Sequence, residues 1–340
     1  MVLAFFSVGL NTPGSGTVKA PGNHSLDLDP GNECSRIAHW LRRVLATTLR
    51  RRGVVVGVSG GVDSAVTATL ATQALGKERV LVLLMPERHS SPETLDLSRL
   101  VAERLGVRVV EEDITGVLEA LGFYRRYEAA VHQVIPEFGS GWSSKLVTSG
   151  VAAGRPYPVF SVIARAPNGL EVRQRLPVEV YLEIVAATNF KQRTRKMFEY
   201  YHADRLNYAV AGTPNRLEYD QGFFVKNGDG AADLKPIAHL YKTQVYQLAE
   251  YLDVPEEIRK RPPTSDTYSM SQGQDEFFFG LPFEQMDLCL YGKNEGLEAR
   301  VVAEAARLTP EQVQAVWADI DRKRSGTRYL HMAPLLLHTL

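Results

Sequence analysis

Residues Val54–Val58 form an apolar run that passes directly into Ser59-Gly60-Gly61-Val62-Asp63-Ser64 and then into an alanine-rich segment ending near Leu75. A buried strand that turns at once into a helix leaves several N–H groups without partners at the helix start, where the helix dipole also favours negative charge. Such a turn is an anion cradle. Gly60 and Gly61 let the backbone approach a phosphate, and the hydroxyls of Ser59 and Ser64 add donors. Asp63 would repel a phosphate unless a cation lay between them, so the set points to a metal-bound polyphosphate. The turn has neither the GxxxxGK[ST] spacing of Walker-type NTPases nor the GxGxxG of dinucleotide-binding turns. An ordinary Gly-rich turn, with Asp63 and Ser64 as cap residues, is the competing reading; the complete SGGVDS after a valine-rich strand is the more specific signal and favours a nucleotide.

The surrounding pattern is that of an α/β protein. RVLVLLMP (79–86) reads as a second strand, and Ser91 with Pro92 and Glu93 caps a helix running to about Leu105. VRVVEED (107–113) reads as a third strand. Strands alternating with helices through short connectors predict a doubly wound parallel sheet. Upstream, a helix is expected from about Ser35 to a stop at Gly53, preceded by a flexible leader over residues 1–34. The pattern breaks between about 123 and 180, where Pro167-Asn168-Gly169 lies between two alternating segments and predicts an inserted β-hairpin. Helical spacing returns from about Val178 to Asn207, followed by the strand YAVAGT and by helices over 243–252 and, after Thr309-Pro310-Glu311, to about Lys323. The remainder, 35–340, reads as one domain.

Composition excludes several classes. Lys plus Arg and Asp plus Glu number 39 each, which argues against a nucleic-acid partner, and no apolar run reaches membrane length. Cys34 and Cys289 form no CxxC pair, against a disulfide framework or paired-cysteine relay, and fit a cytoplasmic protein. Lys191, Lys196 and Arg205 in the basic helix read as a solvated face.

A second dense stretch, GTPNRLEYDQGFFVKNGDGAADLKPIAHLYK (212–242), gathers Thr213, Glu218, Lys226, Asp229, Asp233 and Lys242 around Phe223-Phe224 and a Gly-Asp-Gly turn. Two lysines and several carboxylates around aromatic rings suit an anionic, partly aromatic substrate and a metal; a surface loop with scattered charges is the alternative.

SGGVDS resembles the pyrophosphate loop of the N-type ATP pyrophosphatases. GTxxxxExxxGFFxKxGDGxxDxxP, LYK, Pro-Thr-Ser-Asp at 263–266, and Asn189, Arg193 and Arg195 in NFKQRTRKM resemble the ammonia-dependent NAD synthetase family within that superfamily. The resemblance covers roughly 35–120 and 185–325. It implies an adenine nucleotide alpha hydrolase-like fold, a homodimer with the dinucleotide site near the subunit interface, and ATP and Mg²⁺ as requirements. The reaction it implies is amidation of a carboxylate through an acyl-adenylate, with deamido-NAD the favoured substrate and ammonia the nitrogen donor, free or from a separate glutaminase.

Carried over by position, Ser59, Asp63, Lys242 and Thr264 would be the catalytic set. Gly57, Gly60, Gly61, Ser64, Arg195 and Thr213 would join Ser59, Asp63, Lys242 and Thr264 around ATP, with Asp63 and Glu218 on the metal. Asn189, Arg193, Tyr200, Phe224, Lys226, Asp229 and Asp233 would face the substrate. The chain departs from the family pattern at Pro214, Arg216 and Leu217, at Phe278 in place of a carboxylate, in its SGTRYLHMAPLLL ending, and in the longer 123–180 excursion. A related ligase acting on another carboxylate therefore stays open, and a tRNA-modifying relative is less well supported.

Overall fold

The computed structural model describes residues 25–149, 159–264 and 267–337. The expected leader up to residue 24, part of the expected insertion, and Ser265-Asp266 of the Pro-Thr-Ser-Asp motif lie outside the described residues. Helix α1, Pro30–Arg43, is capped by the Asp29 side chain and continues as a π-helical turn to Leu49, stopping at Arg50 in the left-handed region. The helix therefore begins earlier than Ser35, because Asp29-Pro30 is a complete N-terminal signal and Cys34 and Ile37 face the core.

Next come β1 (Val54–Gly57), α2 (Val62–Leu75), β2 (Val80–Leu84), α3 (Pro92–Leu105) and β3 (Arg108–Glu111), as the alternation predicts. Two helices that the sequence pattern does not predict follow, α4 (Thr115–Ala120), before the irregular stretch, and α5 (Phe123–His132), at its start. The expected hairpin is the second half of a three-stranded antiparallel sheet of β4 (Ser143–Ser149), β5 (Val159–Arg165) and β6 (Glu171–Arg175). Gly169, at φ +87°, closes the β5–β6 turn, where its N–H donates to the Ala166 carbonyl and the Ala166 N–H donates to that of Leu170.

The long helix α6 (Val178–Leu206) leads to β7 (Ala209–Ala211), then α7 (Arg216–Gln221), α8 (Lys242–Tyr251) and α9 (Glu256–Lys260). The chain ends in α10 (Phe283–Asn294), α11 (Ala299–Ala306) and α12 (Pro310–Thr327). The main sheet has the order β3-β2-β1-β7, all parallel. Val54 and Val56 face a core with α1, α2, α3 and α8, whereas Val55, Leu81 and Leu83 face one with α5 and α6. Both faces of β1, β2 and β7 are covered, so they read as continuous apolar runs, whereas the edge strand β3 is largely exposed.

Lys191 and Lys196 do not lie on a solvated face: they are 1% and 6% exposed. Helix α6 is packed on most of its circumference, and each lysine is paired, Lys191 with Glu87 at 2.7 Å and Lys196 with Glu199 at 2.6 Å. A buried ammonium persists only with such partners. Arg205 alone of the three is exposed. Among the described residues, no helix is long and apolar enough to cross a membrane.

Candidate active site

β2 and β3 lie on one side of β1 and β7 on the other, so the chain reverses its winding at β1 and opens a crevice beyond the carboxyl ends of β1 and β7. The SGGVDS turn forms one lip. Gly60, at φ +69°, packs so tightly on α3 that a Cβ would lie 2.8 Å from the Thr94 carbonyl oxygen. Ser64 is used to hold the turn: its Oγ donates to the Gly61 carbonyl at 2.9 Å and accepts the Ser59 N–H at 3.2 Å. Ser59 lines the crevice, its hydroxyl 3.4 Å from that of Ser64. The first intrahelical donor of α2 in this turn is Ala65, to Gly61 at 3.1 Å, so the N–H groups of the preceding residues remain at the mouth of a 14-residue helix.

The opposite lip is built on Asn215. This residue caps α7 in a capping box: its Oδ1 accepts the Glu218 N–H at 3.2 Å, and Glu218 Oε2 accepts the Asn215 N–H at 3.2 Å. The Asn215 side chain also reaches across the crevice, where Nδ2 donates to Asp63 Oδ1 at 3.0 Å. One buried residue thus ties both carboxylates together, Asp63 through its side-chain amide and Glu218 through its backbone N–H. Gln274 Nε2 donates to the other Glu218 oxygen at 2.9 Å, and Lys242 Nζ donates to Asp63 Oδ2. Burial, with the Asp63 charge behind it, pushes the Glu218 carboxyl up to about 7. Burial works against the Lys242 ammonium, but Asp63 and Glu218 outweigh it and hold its pKa above the ordinary value.

Lys242 opens α8, where a cation opposes the helix dipole. The compensation is Asp287 of α10, which is fully buried and accepts the Lys242 N–H at 3.2 Å and both the N–H and hydroxyl of Thr243 at 2.6 Å. Burial raises Asp287 to about 7 against these donors. A carboxyl with a raised folded-state pKa holds its proton more tightly in the native chain, so its contribution lowers stability as pH rises from about 4 through 7. Asp287→Asn is expected to make the fall in melting temperature across that window shallower, read by thermal unfolding at several pH values. Glu218, raised to about 7, and Asp229, also raised by burial, contribute slope of the same sign.

The crevice encloses about 460 Å³, within the range of small-molecule sites. Of the residues expected from the sequence, Gly57, Ser59, Gly61, Asp63, Ser64, Asn189, Arg195, Thr213, Glu218, Phe224, Asp229, Lys242 and Thr264 line it. Gly60 lies behind the turn. Arg193, Tyr200, Lys226 and Asp233 stand outside: Arg193 Nε donates to the Lys226 carbonyl at 3.2 Å, and Asp233 accepts the Val210 N–H at 2.7 Å and the Tyr200 hydroxyl at 3.4 Å. His331 folds back against Phe224, with ring centroids 5.1 Å apart. Asn215, Gln274 and Asp287 were not singled out from the sequence, nor was the Lys196–Glu199 pair that also lines the cavity. The Asn-x-x-Glu spacing at 215–218 is a capping signal that marks Asn215, whereas nothing local marks the other two.

Among the described residues no cluster of three or more His, Cys, Asp or Glu side chains is placed to hold a metal alone. Asp63 and Glu218 nevertheless fit Mg²⁺, which binds through one or two carboxylates plus substrate phosphates. Their mutual repulsion, visible in the raised Glu218, is the electrostatic condition a cation relieves.

Comparison with known proteins gives this arrangement its family. A sequence model of NAD synthase matches residues 33–135 and 170–326. An NH(3)-dependent NAD(+) synthetase of Rhizobium rhizogenes is 57% identical over 318 residues, covering 94% of this chain and 96% of the relative. The protein of the same description from Thermotoga maritima is 39% identical over 248 residues, 72% of this chain and 82% of its own. Among solved structures, an NMN synthetase from Francisella tularensis superposes with a TM-score of 0.64 at 22% identity, over 92% of this chain and all of that one, a likeness of fold. With the family model covering both the pyrophosphate-loop half and the Glu218–Lys242 half of the crevice, the chain belongs to the NAD synthase family.

Proposed function

We propose that this protein is an ammonia-dependent ligase that converts deamido-NAD to NAD, consuming ATP and releasing AMP and pyrophosphate. The observation that carries this reading is the crevice in which the anion-receptive turn, bearing Asp63, faces Asn215, Glu218 and Lys242. The curated relatives described as NH(3)-dependent NAD(+) synthetases support the choice of acceptor and donor.

In this reading the acceptor carboxylate oxygen attacks the α-phosphorus of ATP, the α–β bond breaks and pyrophosphate leaves. Ammonia then attacks the acyl carbon, AMP departs, and the nitrogen loses a proton. No side-chain nucleophile is needed; positioning and charge stabilisation suffice. Ser59, the free N–H groups of the α2 start, Lys242 and Thr264 receive the leaving phosphates, with Arg195 and Thr213 holding the nucleotide. Asp63 and Glu218 hold Mg²⁺, which when bound neutralises charge on the phosphate oxygens. Asn189, Phe224 and Asp229 shape the acceptor end.

The residues outside the crevice fit a homodimer. Val178, Leu182, Met197 and Tyr201 are 67, 56, 61 and 60% exposed, and at helical spacing they fall on one face of α6, which also carries Arg193. A second copy packed there would close the acceptor end around Arg193, Tyr200, Lys226 and Asp233. Ammonia comes from solution or from a separate glutaminase.

The test is incubation with ATP, Mg²⁺, ammonium and deamido-NAD. AMP, pyrophosphate and NAD are expected in equal amounts. AMP formed only with a different carboxylate would move the protein to a sister ligase, and no ammonia-dependent AMP with any carboxylate would overturn the reading.

A further inference from the structure

The family match leaves residues 136–169 uncovered, and this segment supplies β4 and β5. β4 pairs with β5 along one edge only. Its other edge is not left open. The Ser144 N–H donates to the Ser269 hydroxyl at 2.9 Å, the Ser144 carbonyl accepts the Met270 N–H at 3.2 Å, and the Leu146 carbonyl accepts from Gln272 Nε2. Lys145 adds an ion pair to Glu276 at 2.6 Å. Ser144 and Leu146 are fully buried and Gln272 is 1% exposed, so these bonds lie in a low-dielectric seam where each is costly to lose.

The segment held in this way is a wall of the crevice. Thr267, Tyr268, Gln274, Phe277 and Phe278 line the cavity, Gln274 donates to Glu218, and Gly273 bridges to Thr264. Tyr268 and Phe277 also pack into the same apolar cluster as Leu146 and Val162. A continuous run of contacts therefore leads from the inserted sheet through Gln272 to Gln274 and Glu218.

We infer that the inserted sheet is a positioning element for the reaction: β4 fixes the 267–279 wall before substrate arrives, and Gln272 is its main fastening. A wall ordered in advance spares substrate binding the cost of ordering it, so loosening the fastening weakens binding without altering chemistry at saturation. Gln272 and Lys145 touch neither substrate nor metal in this scheme. The inference rests on the ligase reading only for the choice of assay.

In the full-length chain, Gln272→Ala, which removes the buried bond to the Leu146 carbonyl, is expected to raise KM for ATP or for the carboxylate roughly 3- to 10-fold, with kcat within about 2-fold of wild type. A purely structural defect instead lowers the active fraction and leaves KM unchanged. That result, or a fall in kcat alone, overturns the inference. Lys145→Met, at the more exposed end of the seam, gives a smaller rise in the same direction and serves if Gln272→Ala does not fold. Hydrogen exchange supplies a readout independent of activity. Residues 268–279 lose protection in Gln272→Ala while β1 and β7 keep theirs; unchanged protection at 268–279 overturns the inference. A wild-type chain that makes no NAD would count against the ligase reading, and the exchange experiment still decides the brace.

Discussion

Asp63→Asn is expected to lower kcat/KM for ATP by about 10³-fold while leaving the fold intact. The substitution keeps the side-chain volume and an oxygen for the Asn215 amide, whose bond to Asp63 measures 3.0 Å. It removes the negative charge that is proposed to bind Mg²⁺ and that anchors the Lys242 ammonium. Losing a preorganised charge at a phosphoryl-transfer site costs about 10²- to 10³-fold, and here metal and lysine placement fail together. The fold survives because Lys242 keeps the neighbouring Glu218 as a counter-charge, and Glu218 is relieved of the Asp63 repulsion that contributes to its raised pKa. Steady-state kinetics together with thermal unfolding check this. Turnover within threefold of wild type would contradict the assignment of Asp63 to the metal.

Lys242→Met carries the second large effect, a fall in kcat/KM of roughly 10²- to 10³-fold. The lysine is 3% exposed on its side chain, and methionine fills much of the same volume, so packing of α8 on α2 is conserved. What disappears is the cation facing the leaving pyrophosphate. Asp63 and Glu218 are then left without their ammonium, so Mg²⁺ binds with less competition. Added Mg²⁺ is therefore expected to raise the melting temperature of Lys242→Met more than that of wild type, while turnover stays low. Equal stabilisation of the two proteins would argue against a shared metal and lysine site.

These residues come from two distant stretches, and the sequence exposes them unevenly. The SGGVDS turn is legible because a strand, a tight turn and a helix leave a local record in consecutive residues. The same holds for β2, α3 and the Asn168-Gly169 hairpin. β4 was missed because its outer edge pairs with residues 269–272, a partner more than a hundred positions away that no local pattern announces. Lys191 and Lys196 read as solvated because α6 alternates charge and hydrocarbon on nearly every side; only the pairing partners Glu87 and Glu199 explain their burial. Asn215 sat within reach of sequence reasoning through its capping box, yet its bridge to Asp63 depends on the crevice having closed. Asp287, which offsets the misplaced charge of Lys242 on α8, is visible only in three dimensions.

The most direct measurement follows oxygen through the reaction. With deamido-NAD labelled with ¹⁸O in its reactive carboxylate, attack of that oxygen on the α-phosphorus leaves one labelled oxygen in AMP when ammonia displaces the nucleotide. One ¹⁸O is expected in each AMP formed and none in pyrophosphate. Unlabelled AMP alongside labelled inorganic phosphate or pyrophosphate would contradict it, because the acceptor would then have been activated elsewhere on ATP.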